Sequence, residues 1–249
     1  MDEHSESASA GVLSGDPGPV TPAHAVDAGR VPAGVLRSLP DDALIILPVR
    51  DFVLFPGTVL PLMVGRENSQ TAVQEAIRLE RPIGVLLQRN GEVEEPGPDD
   101  LHRVGTSAAV LRYITTPDGG HHAIAKGLRR FRVAEFLGGY PFTVARVEYF
   151  EDPEQVDAEI EGRARALRQR AIETLQLLPQ VPAEMATALQ GLEGAGRLAD
   201  FIAGLMDISP EEKQALLETF DLKLRLDKVL ALLAHRIEVL KVSREVDDR

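Results

Sequence analysis

The amino-acid sequence predicts an α+β fold, in which a small, mostly antiparallel, β-barrel-like domain with one helix precedes an α-helical bundle that ends in a long helix. Two observations support this prediction. Between residues 44 and 150, short apolar runs of strand length alternate with turns that contain Gly and Pro. From residue 152 onwards, apolar residues recur every three or four positions, as on one face of a helix. We therefore expect two folded domains, at residues 41–151 and 152–249.

Residues 1–40 differ from both domains in composition. More than half of them are Gly, Pro, Ala or Ser, and none is aromatic. Such a segment cannot bury enough apolar surface to offset the entropy that it would lose on folding. We expect a disordered N-terminal extension.

Charge and cysteine content narrow the classes of function. The chain of 249 residues has a net charge of −12 and no cysteine. An acidic chain is a poor match for phosphate, which argues against nucleic acid as a partner. No segment reaches the about 20 apolar residues that a membrane helix needs, and no signal-peptide core is present. Because the lack of cysteine fits a reducing compartment, we expect a soluble cytoplasmic protein without a membrane partner.

The first domain is organised around the segment Leu47–Gly65. Two apolar runs, 44–49 and 59–64, flank an apolar tip at Phe52–Phe55 and a Pro56-Gly57 corner. Each run contains a proline, so each must lie where the strand ladder needs no N–H donor, at an edge or a bulge. The pattern predicts an opening hairpin.

A helix, a strand and an acidic loop follow. Asn68 or Ser69 can cap a helix that runs to about Glu80, and residues 82–87 have the pattern of a buried strand. The loop at residues 90–100 could bind a metal through its carboxylates, but it lacks the ligand ladder and the turn glycine of a calcium loop. We interpret it as a solvated loop without a metal; the carboxylates considered as ligands are Glu94, Glu95, Asp99 and Asp100.

A second hairpin and a last strand complete this domain. The hairpin comprises Thr106–Thr116 and His121–Val133, joined by the turn at 117–120, and the last strand lies within 141–150. Closing such a sheet into a barrel or half-barrel would remove its exposed edges. Alternation along the second hairpin strand predicts two inward side chains, Phe131 and Val133, and two outward ones, Arg130 and Arg132.

The second domain has a series of helix-start signals. Asp152, Pro153 and Gln155 form a complete N-terminal signature for a helix that reaches Pro179. Further helices are predicted from Pro182, over residues 198–206, and after the caps Ser209 and Asp221. The last helix becomes almost entirely charged beyond Leu240, which predicts a helix that is unfinished at this point.

Several of these stretches together resemble the amino-terminal domain of Lon-type ATP-dependent proteases. They run in the same order along the chain, at residues 47–65, 104–108, 127–133, 198–203, 212–218 and 221–240. The resemblance implies a PUA-like barrel and a non-catalytic role in substrate recognition and assembly. It also implies binding of unfolded or damaged proteins, delivery to the ATPase and protease modules of a parent chain, and a homo-oligomeric parent.

Catalytic motifs are absent from the sequence. There is no GxxxxGK[ST] phosphate loop and no recognisable serine–lysine protease segment, so we expect no enzyme activity, no catalytic residue and no cofactor. His121 and His122 could ligate a metal, but exposed hairpin residues explain them better. The arginines at 129, 130 and 132 could contact RNA, as in other small barrels, but a solvated strand face explains them better.

The apolar tip is the candidate binding site. Four consecutive apolar residues at a turn are either buried or exposed for recognition. We expect Phe52, Val53 and Leu54 to contact substrate, with the recognition role strongest for Phe52 and Leu54, whereas Phe55 should anchor the corner. A groove of apolar side chains beside a sheet edge could hold an unfolded chain with little sequence preference. The alternatives are a stand-alone peptide-binding protein and a small RNA-binding barrel.

Overall fold

The computed structural model describes residues 38–178 and 183–247. The first part contains six strands and one α-helix, and a single 3₁₀ turn (Pro98–Asp100) lies in the acidic loop. The elements are β1 (Ala43–Val49), β2 (Val59–Met63), α1 (Glu67–Arg78), β3 (Ile83–Leu87), β4 (Val104–Thr115), β5 (His121–Leu137) and β6 (Val144–Phe150). The predicted α+β class is confirmed, whereas the disorder expected for 1–40 falls almost wholly on residues outside the described part.

Five of the six strands pair with one another in a closed ring. Successive pairings lead from β5 through β4, β3, β1 and β6 back to β5, and only the β1–β3 pair is parallel. The strand β2 pairs with β5 alone and is therefore an edge strand, which explains how it accommodates Pro61. The predicted opening hairpin is wrong, because β1 and β2 do not pair with each other. Residues 50–58 instead carry the chain to the far side of β5.

A single aromatic ring fills the centre of the strand circuit. Phe131 is fully buried on β5 among aliphatic side chains from β1, β3 and β6. A Cβ atom at Gly84 or Gly105 would collide with this ring or its neighbours, so these two glycines make room for it. The inward positions predicted for Phe131 and Val133 are confirmed.

The helix α1 packs against the opposite side of β1. Its buried face carries Ala72, Val73 and Ala76, which meet Ile45 and Leu47 of β1 in one apolar cluster. The helix begins two residues earlier than predicted: Arg66 is the N-cap residue, and no side chain caps the helix. This helix end contributes to a cleft described below.

Five helices form the second part of the structure. They are α2 (Ala158–Leu177), α3 (Ala183–Gly191), α4 (Ala195–Leu205), α5 (Pro210–Leu217) and α6 (Leu222–Asp247). The predicted capping box at Ser209 is present, and the Asp221 carboxylate accepts from the Leu224 N–H at 2.8 Å. None of the described helices is long and apolar enough to cross a membrane.

The predicted start of α2 is wrong. The helix begins five residues after the Asp152-Pro153 signature, and Asp157 caps it by accepting from the Ile160 N–H at 2.9 Å. The Asp152 carboxylate is occupied elsewhere, because both of its oxygens accept from the Arg225 guanidinium of α6 at 2.6 Å. The side chain that the local sequence predicted as a helix cap therefore forms a long-range ion pair instead.

Candidate functional site

The apolar tip Phe52–Phe55 lies where the sheet meets the helices. Its side chains alternate between two cores: Val53 and Phe55 pack into the helical cluster, and Leu54 packs into the cluster of β1 and α1. Phe52 is only half-buried. The core position predicted for Phe55 is confirmed, since this side chain is fully buried. The tip therefore joins the two parts of the molecule.

Hydrogen bonds fix the backbone of this tip. The Thr106 hydroxyl on β4 donates to the Leu54 carbonyl oxygen at 2.6 Å. Gly57 donates its N–H to the Gly127 carbonyl at 2.9 Å, and Gly127 donates in return to the Thr58 carbonyl at 2.8 Å. A Cβ atom at Gly127 would collide with the Phe55 carbonyl, so the corner approaches β5 this closely because residue 127 is glycine.

The structure shows how much of each candidate binding residue is exposed. Leu54 has 1% of its surface exposed and Val53 is also buried, so the exposure expected for Leu54 is not found. The local sequence could not reveal this, because Val53 is covered by helices more than 100 residues away and Leu54 is covered by β1, α1 and β5. Among the three residues of the candidate site, Phe52 alone is partly exposed, and it also packs against the cluster of β1 and α1.

A second apolar surface, which sequence reasoning missed, lies on the solvent side of β2, β5 and β4. Met63 is 77% exposed and Val59 is 49% exposed on the edge strand. Across the sheet, Met63 pairs with His122 of β5, which pairs with Ile114 of β4, so these side chains form one row. We call this surface the β2 face; it consists of Val59, Pro61, Met63, Arg112, Ile114, His122, Ile124 and Lys126.

The edge of β2 is only partly able to bind another strand. The Val64 N–H donates to the His121 carbonyl at 2.8 Å, and residues alternate in direction along a strand. The outward-facing backbone groups therefore belong to Val59, Pro61 and Met63. Because Pro61 has no N–H, the middle donor of this edge is missing, as is common for edges that resist strand addition. Binding at the β2 face must rely mainly on side chains.

The β2 face also carries positive charge, although the chain as a whole is acidic. Arg112 and Lys126 are exposed there, and neither forms an ion pair with any residue that the structure describes. The alternation of Val59, Pro61 and Met63 with more buried neighbours was visible in the sequence. This alternation alone did not predict an exposed patch. Whether the outward side chains are exposed depends on which side of the sheet the helix covers.

The arginines of the predicted strand face have protein partners. Arg129 stacks over the Tyr149 ring at 3.8 Å, and Arg132 lies about 5 Å from the rings of Phe150 and Phe220. The outward position predicted for Arg130 is wrong, because the helices cover this part of β5 and the side chain is buried. Arg129 and Arg132 remain exposed, whereas the buried Arg130 is not accessible to an RNA backbone.

Arg130 belongs to a buried ionic network between the sheet and the helices. Its guanidinium donates to both carboxylate oxygens of Asp200 on α4, at 2.6 and 2.7 Å. Arg225 of α6 lies 3.4 Å from the same carboxylate and also binds Asp152. Burial raises the pKa of the Asp200 carboxyl, and the Arg130 guanidinium opposes that shift. The sequence carried one signal for this network, since Arg225 lies on the apolar stripe of Leu222, Leu226 and Val229.

Among the clefts that lie outside both the tip and the β2 face, two differ clearly in their lining. One, of about 300 Å³, lies between the start of α1, the acidic loop and the turn that joins β5 to β6. The other, of about 510 Å³, is an apolar cleft among α2, α3, α4 and α6. Within the described residues, no group of three or more His, Asp or Glu side chains is placed to hold a metal ion.

Comparison with known proteins points to one family. The sequence matches the family described as the ATP-dependent protease La (LON) substrate-binding domain over residues 43–235. The Lon protease of Phenylobacterium zucineum is 45% identical over 222 residues, which are 89% of this chain and 28% of that protein. The Lon protease of Methylocella silvestris is 47% identical over 218 residues, 88% of this chain and 27% of that protein. The chain thus spans about a quarter of the length of these relatives.

Solved structures show the same fold. The N-terminal domain of a Mycobacterium avium complex Lon protease matches with a TM-score of 0.64 and 22% identity, over 77% of this chain and 98% of that one. A Lon N-terminal domain protein from Xanthomonas campestris matches with a TM-score of 0.55 and 22% identity, over 76% and 97% of the two chains. At this identity the likeness concerns the fold.

Proposed function

The chain belongs to the family of the ATP-dependent protease La (LON) substrate-binding domain, and we propose that it is the non-catalytic substrate-recognition and assembly domain of a Lon-type ATP-dependent protease. In this role it binds unfolded or damaged proteins. It then passes them to ATPase and protease modules of a parent chain that assembles as a homo-oligomer. The absence of a phosphate-loop motif from these 249 residues supports a non-catalytic role.

The β2 face is the observation that carries this proposal. Unfolded proteins differ from folded ones by exposing apolar side chains, and a contiguous exposed apolar surface is the feature that can detect them. Met63, Val59 and Ile114 provide such a surface on a rigid sheet. Burying a single side chain of this size contributes only about 1.5–3 kcal/mol, so each contact is weak and tolerant of sequence.

The flanking charges suit this role. Arg112 and Lys126 can attract acidic residues of a substrate without demanding one position, since exposed ion pairs contribute less than about 1 kcal/mol. The missing N–H at Pro61 limits strand addition, which would otherwise let unfolded chains accumulate on the edge of the sheet. The surface therefore favours reversible capture.

The tip contributes to the same function in our proposal. Phe52 contacts the substrate, while Val53 and Leu54 hold Phe52 in place from within the two cores. We also propose that the closed strand circuit is a PUA-like barrel that serves as the rigid support. The lack of cysteine supports the cytoplasm as the compartment.

Binding to an unfolded protein tests the proposal. We expect Met63→Ser combined with Val59→Ser to weaken the affinity for a reduced, carboxymethylated protein by at least about tenfold, because two exposed apolar contacts are lost. Fluorescence anisotropy of the labelled unfolded protein measures this. Urea unfolding of the same variant should change little, since both side chains are exposed in the folded chain.

A matched valine provides the control. Val156 is 40% exposed in the loop before α2, close to the 49% of Val59, and it lies outside the β2 face. Val156→Ser should leave the affinity unchanged. Equal losses for Val59→Ser and Val156→Ser would mean that apolar surface in general, not the β2 face, holds the substrate.

The tip is tested by two serine variants. Leu54→Ser should unfold much of the protein, because a buried leucine is replaced by a polar group. Phe52→Ser should retain most of the stability and lose affinity for the unfolded protein. A Phe52→Ser variant with full stability and full affinity would remove the tip from the proposed site.

A further inference from the structure

The start of α1 has no side-chain cap, so its first backbone donors are uncapped. The first three residues of the helix, Glu67, Asn68 and Ser69, have N–H groups without an intrahelical acceptor. Arg66 occupies the N-cap position with extended backbone, and its side chain does not accept from them. This end of a helix of 12 residues lines the cleft of about 300 Å³. Free N–H groups and the helix dipole favour a negative charge there.

Two side chains in the same cleft, Ser69 and Arg66, can still bind a ligand. Ser69 is 6% exposed, and its hydroxyl makes no hydrogen bond to any residue that the structure describes. Arg66 donates to the Gln88 amide oxygen at 2.5 Å but forms no ion pair within the described part of the chain. The small exposed part of Ser69 lies in the cleft, so its hydroxyl is open to a ligand there.

Other charged groups border the cleft and limit what it can bind. Glu95 also lines the cleft, and the charges of Glu95 and Arg50 both act on Arg66. Burial lowers the pKa of the Arg66 guanidinium, the charge of Arg50 lowers it further, and Glu95 acts in the opposite direction. Arg66 remains protonated at neutral pH all the same. A ligand with one negative charge fits this balance better than a polyanion, which Glu95 would repel.

Most of the remaining lining of the cleft is apolar. They consist of rings and aliphatic side chains from β1, the acidic loop and the β5–β6 turn, namely Ile46, Pro48, Pro96, Phe136, Tyr140 and Phe142. Tyr140 and Phe142 stack with their centroids 6.3 Å apart. A volume near 300 Å³ is at the small end of ligand sites, which are about 300–1,000 Å³. The space suits one or two residues and not a long segment.

We propose that this cleft binds the free C-terminal carboxylate of a polypeptide whose last residue is apolar. The uncapped N–H groups of α1, the Ser69 hydroxyl and the Arg66 guanidinium receive the carboxylate, and the aromatic and proline walls receive the last side chain. Capture of chain termini by backbone donors is a known mode of peptide recognition. This inference rests on the proposed function, because it names one class of substrate that the domain selects.

A pair of peptides tests the site. The probe is a labelled decapeptide of uncharged residues ending in Leu-Phe, compared with the same peptide carrying a C-terminal amide. We expect the amide to bind at least about tenfold more weakly, because it removes the charge that the donors receive. This comparison uses the wild-type chain, so no variant needs to fold. Equal affinity of the two peptides overturns the proposal.

Substitutions in the cleft test whether the preference for the free carboxylate arises there. Arg66→Gln and Ser69→Ala should each reduce the preference for the free carboxylate, whereas Glu95→Gln should tighten binding of the free acid by removing a repulsive charge. Arg78→Gln is the matched control, since it removes the same charge at the opposite, exposed end of α1. An unchanged preference in Arg66→Gln would place the carboxylate elsewhere.

The outcomes separate this inference from the function on which it rests. If the carboxymethylated protein binds but the acid and amide peptides bind equally, substrate recognition stands and the terminal site is refuted. If neither peptide nor the unfolded protein binds, both proposals fail. Equal competition by inorganic phosphate and by the free-acid peptide at the same concentration would show a general anion site and would also overturn the assignment to chain termini.

Discussion

The tip Phe52–Phe55 and the strand β2 are both apolar and lie only three residues apart, yet they meet opposite environments. The tip is enclosed between two cores, with Phe55 fully buried. Met63 of β2 lies on an edge strand and is exposed to solvent. Hydrophobicity alone does not distinguish them. What distinguishes them is whether a later part of the chain returns to cover the segment, and only the tip is covered by helices.

This contrast separates two tasks. The covered segment joins the sheet to the helices, so substitutions there should lower the stability of the fold. Substitutions on the uncovered strand should change stability little and should instead weaken binding. Four sets of substitutions test whether the contrast holds.

The largest effect is expected at the buried end of the tip. Phe55→Ala should lower the free energy of unfolding by about 3–5 kcal/mol, because it leaves a cavity in the helical core. Urea denaturation followed by circular dichroism measures this. Met63→Ala, on the exposed strand, should change stability by less than about 0.5 kcal/mol. A comparable loss for Met63→Ala would show that the β2 face is covered and would remove the contrast.

The polar part of the same junction should be nearly as sensitive. Asp200→Asn leaves the buried Arg130 and Arg225 with a single carboxylate, and we expect a loss of about 3 kcal/mol. The paired replacement Arg130→Met with Asp200→Leu removes one charge of each sign and should cost less than the single change. Thermal unfolding of the three proteins checks this order. If the double variant is the least stable, the pair contributes to stability and does not merely avoid an uncompensated charge.

A smaller effect is expected where the corner touches β5. Gly127→Ala places a methyl group against the Phe55 carbonyl, so the corner must shift, at a cost of about 1–3 kcal/mol. A Cβ atom at Gly138 would meet no heavy atom within 4 Å, and Gly138→Ala is therefore the matched control. The melting temperature should fall for the first variant and stay nearly constant for the second. Equal melting temperatures for both variants would show that the corner tolerates the methyl group.

The smallest effect on stability concerns the edge of β2. Pro61→Val restores the missing outward N–H, so the fold should change by less than about 1 kcal/mol while strand-to-strand association increases. Analytical ultracentrifugation detects such association. Adding Val59→Lys should reverse it, since charge on an edge strand opposes pairing. Without any increase in association, Pro61 would have no protective role.

The sequence carried the family assignment and most of the elements. Strand-length apolar runs, the capping box at Ser209 and the burial of Phe131 all follow from local patterns, and the structure confirms them. The resemblance to Lon amino-terminal domains is confirmed by the family match over residues 43–235. These features are local in origin, because turn chemistry, helix caps and side-chain alternation depend on residues close in sequence.

Contacts between segments that are distant in sequence determined the features that local patterns did not predict. The sequence could not tell that β1 pairs with β3 and β6 instead of β2, that Asp152 binds Arg225 instead of capping α2, or that Arg130 turns inward to Asp200. In each case the partner comes from a distant segment, and for Asp152 the local preference that it replaces, a helix cap, is worth only about 1 kcal/mol. The same reason applies to the binding surface: the residues left exposed are those that no later helix covers, and only the tertiary structure determines which those are.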